Sequence, residues 1–208
     1  MKKSILIMIS LFAICMSNAN AQGNVWGFRI GYSNYVETVK LSNMSAASAS
    51  INVNAPGLEF GPVYYFLFKK NFYFNGGILL DVILPYDDGI IFRNGDKNYF
   101  VNMPLYLGIN APLGNNGFSI FAQAGYYFGY YFTSNSDVNE ILNNFPDELQ
   151  WGLGIMTGIN IKRFKFEIGY KYGLSKLNNY NLITLDDGSR VEFSSKLSSV
   201  FLGVSYVF

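Results

Sequence analysis

The chain has 208 residues, with 15 basic and 14 acidic side chains, no histidine and one cysteine. So balanced a charge offers no basic field for nucleic acid or an anionic surface. With no histidine and only Cys15, the commonest general base, disulfides and thiolate metal sites are excluded as well.

Lys2 and Lys3 precede an apolar run from Ile5 to Ile14, and Ala19-Asn20-Ala21 follows it. That is the basic, apolar and small-x-small order of a secretory signal peptide cleaved before Gln22. The run is about half of the ~20 residues that a spanning helix requires. Ile14 stands where a lipoprotein signal needs a small residue, so Cys15 is assigned to the leader. The expected division is therefore a signal peptide at 1–21 and one domain at 22–208. No later segment approaches a spanning helix, so residence in a membrane would require a closed β-barrel.

Period-two alternation then runs through most of the chain. The first strand, near Val25 to Asn34, sets Trp26, Phe28, Ile30 and Tyr32 against Gly27, Arg29, Gly31 and Ser33. The second, Gly57 to Phe68, sets Leu58, Phe60, Tyr64, Phe66 and Phe68 against Glu59, Gly61, Val63 and Tyr65. After Lys69-Lys70-Asn71, the third sets Phe72, Phe74, Ile78, Leu80, Val82 and Leu84 against Tyr73, Asn75, Gly77 and Asp81. The fourth, Asn98 to Ala111, and the fifth, from Phe118, alternate in the same way. The sixth runs from Trp151 to Ile161, and Lys162-Arg163 turns directly into the seventh, where Phe164, Phe166, Ile168, Tyr170 and Tyr172 oppose Lys165, Glu167, Gly169, Lys171 and Gly173. An eighth, Lys196 to Phe208, ends in Tyr-Val-Phe.

The connections after strands two, four and six are tight. Those after one, three, five and seven are long, at about 35–56, 85–97, 133–150 and 176–195. An even strand count with alternating short and long connections is the outer-membrane pattern, with short periplasmic turns and long extracellular loops.

A soluble barrel alternates too, with its apolar set inside. An eight-stranded barrel has an interior only wide enough for side chains to fill, and the apolar set here is too rich in rings to fit there. Its aromatics also gather towards the strand ends, with aliphatics between, as two interfacial girdles require. The sequence therefore predicts an all-β, eight-stranded antiparallel transmembrane β-barrel.

Tyr99-Phe100-Val101-Asn102-Met103-Pro104-Leu105-Tyr106-Leu107 is similar to a strand with a central proline in the PorT-like outer-membrane β-barrel family. Trp151-Gly152-Leu153-Gly154-Ile155, Phe166-Glu167-Ile168-Gly169-Tyr170-Lys171-Tyr172-Gly173-Leu174 and the closing Gly203-Val204-Ser205-Tyr206-Val207-Phe208 extend the resemblance. It implies a Gram-negative outer-membrane location and insertion by the barrel-assembly machinery. It implies no single activity and supplies no catalytic residues.

Candidate sites follow from the faces. Arg29, Glu59, Asp81, Lys165, Glu167 and Lys171 fall on the lumen side, where they either pair and hold the barrel together or line an ion path. Asp87-Asp88-Gly89 and Asp186-Asp187-Gly188 lie in outer loops and read first as turns. In the second loop Ile90, Ile91 and Phe92 form an apolar run. In the third, Asp137 is placed to cap a short helix with Ile141, Leu142 and Phe145 on one face, ended by Pro146. These two apolar segments are the candidate contact points for a protein or ligand. The Ser/Ala/Asn-rich stretch at 42–54 reads as a mobile first loop.

The expected protein is an outer-membrane scaffold that presents its loops, with outer-membrane lipid around it. It has no cofactor, no catalysis and no nucleic-acid partner. The alternative is a narrow porin-like channel for ions or small solutes.

Overall fold

The computed structural model describes residues 24–43, 48–69, 71–84, 98–114, 117–133, 149–175, 183–184 and 190–208. Ten strands appear in them: β1 (Asn24–Asn43), β2 (Ser48–Lys69), β3 (Phe72–Gly77), β4 (Leu79–Ile83), β5 (Asn98–Pro112), β6 (Phe118–Thr133), β7 (Leu149–Ile161), β8 (Phe164–Gly173), β9 (Ile183–Thr184) and β10 (Arg190–Val207). Each long strand pairs antiparallel with its neighbour in sequence. β1 also pairs with β10, from Gly27↔Val207 to Asn43↔Val191. The sheet thus closes on itself as an eight-membered ring, because β3 and β4 are two halves of one strand.

Proline explains that break. Ile78 donates its N–H to the Pro62 carbonyl at 3.2 Å, but Pro62 has no N–H to return. The ladder resumes beyond it in the same register, with Phe60↔Leu80 following Val63↔Gly77. Pairing with β5 also skips the positions facing Met103 and Pro104.

The faces are inverted relative to a soluble barrel. Ile30, Leu107 and Ile155 are each about 61–62% exposed, whereas Arg29, Glu59 and Asp81 are wholly buried. Outward aliphatics and rings cover the ring of strands, and polar and charged groups lie inside it. Such an arrangement is stable only with hydrocarbon outside. No helix among the described residues is long and apolar enough to cross a membrane, and the strands do the crossing instead.

Two expected loops prove to be strand. Where a 35–56 loop is expected, β1 and β2 continue as a paired ladder up to Ser42↔Ser48. The 42–54 stretch is thus largely strand, because alternation carries on beyond the apolar band. Likewise β10 begins at Arg190 and is flanked there by β9, so part of the 176–195 connection is sheet. Outward of Tyr32 the β1 face turns polar, and Thr38 Oγ1 lies 2.9 Å from Asn52 Oδ1. From Asn34 to Asn43 the wall formed by β1, β2 and β10 rises by about 30 Å of ladder.

Candidate functional site

Inward positions on β1, β2, β4 and β8 carry the charges, and strand tilt brings most of them to one level. Arg29 Nε lies 2.7 Å from Glu167 Oε1, and its Nη2 donates to Glu167 Oε2 at 2.9 Å. The same guanidinium reaches Glu59 Oε1 through Nη1 at 3.5 Å. Glu59 also accepts from Lys171 Nζ and, at 3.5 Å, from Asn102 Nδ2. Ser205 Oγ donates to Glu167 Oε1 at 2.8 Å. Asp81 stands beside Glu59 in register and accepts from the Tyr35 hydroxyl. All of these groups are buried. Arg29, Glu59, Glu167 and Lys171 each face an opposite charge, which offsets the cost of burying them.

Of the six charged residues expected in the lumen, four are therefore joined by ion pairs, and Asp81 adjoins them beside Glu59. Lys165 stands apart, nearer the short turns. Its ammonium lies 3.9 Å from the ring centre of Phe121, 4.4 Å from Tyr65 and 4.8 Å from Tyr73. It donates to Tyr73 Oη at 3.3 Å and to Gln123 Oε1 at 3.4 Å. No carboxylate is within ion-pairing distance of it among the described residues. Three ring faces and two neutral oxygens hold this cation.

The loop end of the lumen is closed by apolar packing. Tyr35, Val53, Ala55, Ile83, Phe100, Tyr127, Tyr131 and Leu197 form one buried cluster drawn from six strands. Tyr35 meets Phe100 edge-on at 6.4 Å. Small residues on neighbouring strands make room for the rings. A Cβ on Gly129 would strike the Phe100 ring, and one on Gly154 would strike Tyr106. The lumen thus holds packed rings as well as polar and charged groups.

Residues not reached by the sequence reading include Tyr35, Glu37 and Ser205, all buried and inward. Tyr35 and Glu37 continue the Gly27–Arg29–Gly31–Ser33 set, so extending the first strand by three residues finds them. The apolar loop residues Ile90, Ile91, Phe92, Ile141, Leu142 and Phe145 lie outside the described residues, as do both Asp-Asp-Gly turns and the 1–21 leader. Among the described residues no cluster of acidic, Cys or His side chains is arranged to hold a metal.

A family model described as outer membrane protein beta-barrel domain matches residues 20–179. A search of curated proteins gives no match. Among solved structures, the chain is similar to Ail, the attachment invasion locus protein of Yersinia pestis, at 13% identity, with 90% of this chain and 100% of that one covered and a TM-score of 0.37. It is similar to OprG from Pseudomonas aeruginosa at 12% identity, covering 89% and 96%, with a TM-score of 0.47. Neisserial surface protein A matches at 12% identity, covering 87% and 97%, with a TM-score of 0.40.

Proposed function

From the premise that this chain belongs to the outer membrane protein β-barrel domain family, we propose that it is a non-catalytic scaffold of the bacterial outer membrane, presenting its loop-side wall to a partner. The observation that carries this reading is the obstruction of the lumen. A four-residue ion-pair network crosses its middle, and an eight-residue apolar cluster spans its loop end. Water and ions have no favourable route through paired charges and packed rings. The tall β1–β2–β10 wall adds polar strand surface above the band that meets lipid.

The narrower reading follows the same line. The leader at 1–21 is removed on export, the barrel-assembly machinery inserts the mature chain, and the PorT-like motifs mark its grouping within the family. A partner protein or ligand meets the apolar loop segments at 90–92 and 141–145.

Single-channel recording of the refolded protein in a planar bilayer tests the scaffold against the narrow channel. The scaffold predicts silence from a correctly folded barrel. Steady openings whose conductance changes on Asp81→Asn or Lys171→Met would overturn it and establish the channel.

A further inference from the structure

The outer wall carries a feature that the lumen does not explain. Outward side chains on β7, β8, β10 and β1 stand in registered rows. Ile159, Phe166, Val204 and Ile30 form one row, and Ile168 and Leu202 belong to the next row away from the short turn. These six, with Gly158, Glu167 and Gly203 between them, line an almost wholly apolar depression of about 440 Å³ on the lipid face. Thr157, beside Ile168 in the second row, is small and turns its hydroxyl back onto the Phe121 carbonyl at 2.8 Å.

The same wall ends in the tight β7–β8 turn, Lys162-Arg163. Both residues are exposed, and Lys162 occupies the left-handed region at φ 55°. Arg163 Nη1 donates to the Tyr206 hydroxyl at 3.2 Å, which draws the guanidinium onto the outer surface. Tyr206 packs edge-on against Phe164 at 5.3 Å and Phe208 at 5.5 Å. Aromatic rings gathered in this way mark headgroup depth. Neither cation has a carboxylate within ion-pairing distance among the described residues. Each row spans two residues, about 7 Å along a strand. The depression therefore lies at acyl-chain depth on the same wall as the cations.

We propose that this wall binds one phospholipid with an anionic headgroup from the leaflet on the short-turn side. Lys162 and Arg163 take the phosphate, the Tyr206 hydroxyl orients the arginine, and one acyl chain lies in the depression between the two rows. Charge complementarity selects the headgroup, and the apolar lining selects a chain. The site requires only that the barrel stand in a bilayer, and it holds whether or not the lumen conducts.

Native mass spectrometry of the refolded mature chain, released from micelles with equal phosphatidylglycerol and phosphatidylcholine, tests this. One phosphatidylglycerol should be retained in preference. Lys162→Gln with Arg163→Gln should lower its retention about fivefold for each charge removed, leaving phosphatidylcholine unchanged. Arg163→Lys should keep most of the preference. Dihexanoyl phosphatidylglycerol should be retained at least tenfold more weakly by the unaltered protein, because its chains bury fewer methylenes. Heat-modifiable gel mobility confirms that each variant is folded. Equal retention of the two headgroups by the unaltered protein, or an unchanged preference in the folded double variant, would overturn the headgroup site. Chain-length independence would overturn the acyl groove.

Discussion

Arg29 on β1 and Glu167 on β8 meet in a two-point ion pair across β10, with N–O distances of 2.7 and 2.9 Å. Neither is a sequence neighbour of the other, and their strands are separated in the sheet by β10. The pair therefore ties strand to strand through the lumen, independently of the backbone ladder. Glu59 extends the tie to β2, and Lys171 returns it to β8.

Glu59 is the member with two cations, so its loss should be severe. Glu59→Gln leaves Lys171 and one arm of Arg29 facing a neutral amide, and should destabilise the barrel by about 3–5 kcal/mol. Urea titration of the refolded barrel, read by gel mobility, measures this. Adding Lys171→Met should recover part of the loss. A single variant as stable as the parent would mean that the network does not hold the strands together.

Lys165 should behave in the opposite way. Its ammonium is buried among rings and neutral oxygens, so Lys165→Met removes a desolvated cation without orphaning a carboxylate. Stability should stay within about 1 kcal/mol of the parent or rise, by the balance of desolvation against cation–ring attraction. The same urea titration applied to Lys171→Met should instead show a loss. Equal losses in the two variants would refute the distinction.

Gly129 and Phe100 form a second kind of lock. Gly129→Ala drives a methyl group into the ring and should cost about 1–3 kcal/mol, as overpacking does. Phe100→Leu placed in the same chain should relieve the clash, so the double variant is less damaged than the sum of the singles. Strict additivity in that cycle would show that the two positions do not interact.

The wall above the membrane can be probed by thiol labelling, since the segment 22–208 contains no cysteine. Asn52→Cys and Asn54→Cys should react with a membrane-impermeant maleimide added to intact cells. Val53→Cys and Ala55→Cys, whose parent side chains are buried, should not. Uniform labelling of all four would return this stretch to a mobile loop.

Alternation made the strands, the tight turns and the orientation of each face legible in the sequence, because every outward position between the girdles must satisfy lipid. The strand from Phe164 to Gly173 emerges with the boundaries read for it. The same signal failed above the lipid. At residues 50–55 the outward positions are Ser and Asn, so composition suggests a loop, although Val53 and Ala55 keep the period. The partners of Arg29 were not legible, because barrel tilt decides which inward residues share a level. The aromatic cap is not fully legible for a related reason: rings such as Phe100 and Tyr127 fit the inner face where a glycine on a neighbouring strand, Gly129 or Gly152, gives way.

Because β1 is hydrogen-bonded to both β2 and β10, the first strand made must wait for the last before its second edge is covered. Until then the growing sheet carries two open edges beside a lipid-facing surface, a state prone to pairing with other chains. Bringing those edges together closes a loop nearly as long as the domain, which slows folding in water. Residence time in the aqueous compartment, more than final stability, thus sets the hazard this chain faces on its way to the membrane. A holdase that shields the unclosed sheet during transit counters that hazard directly.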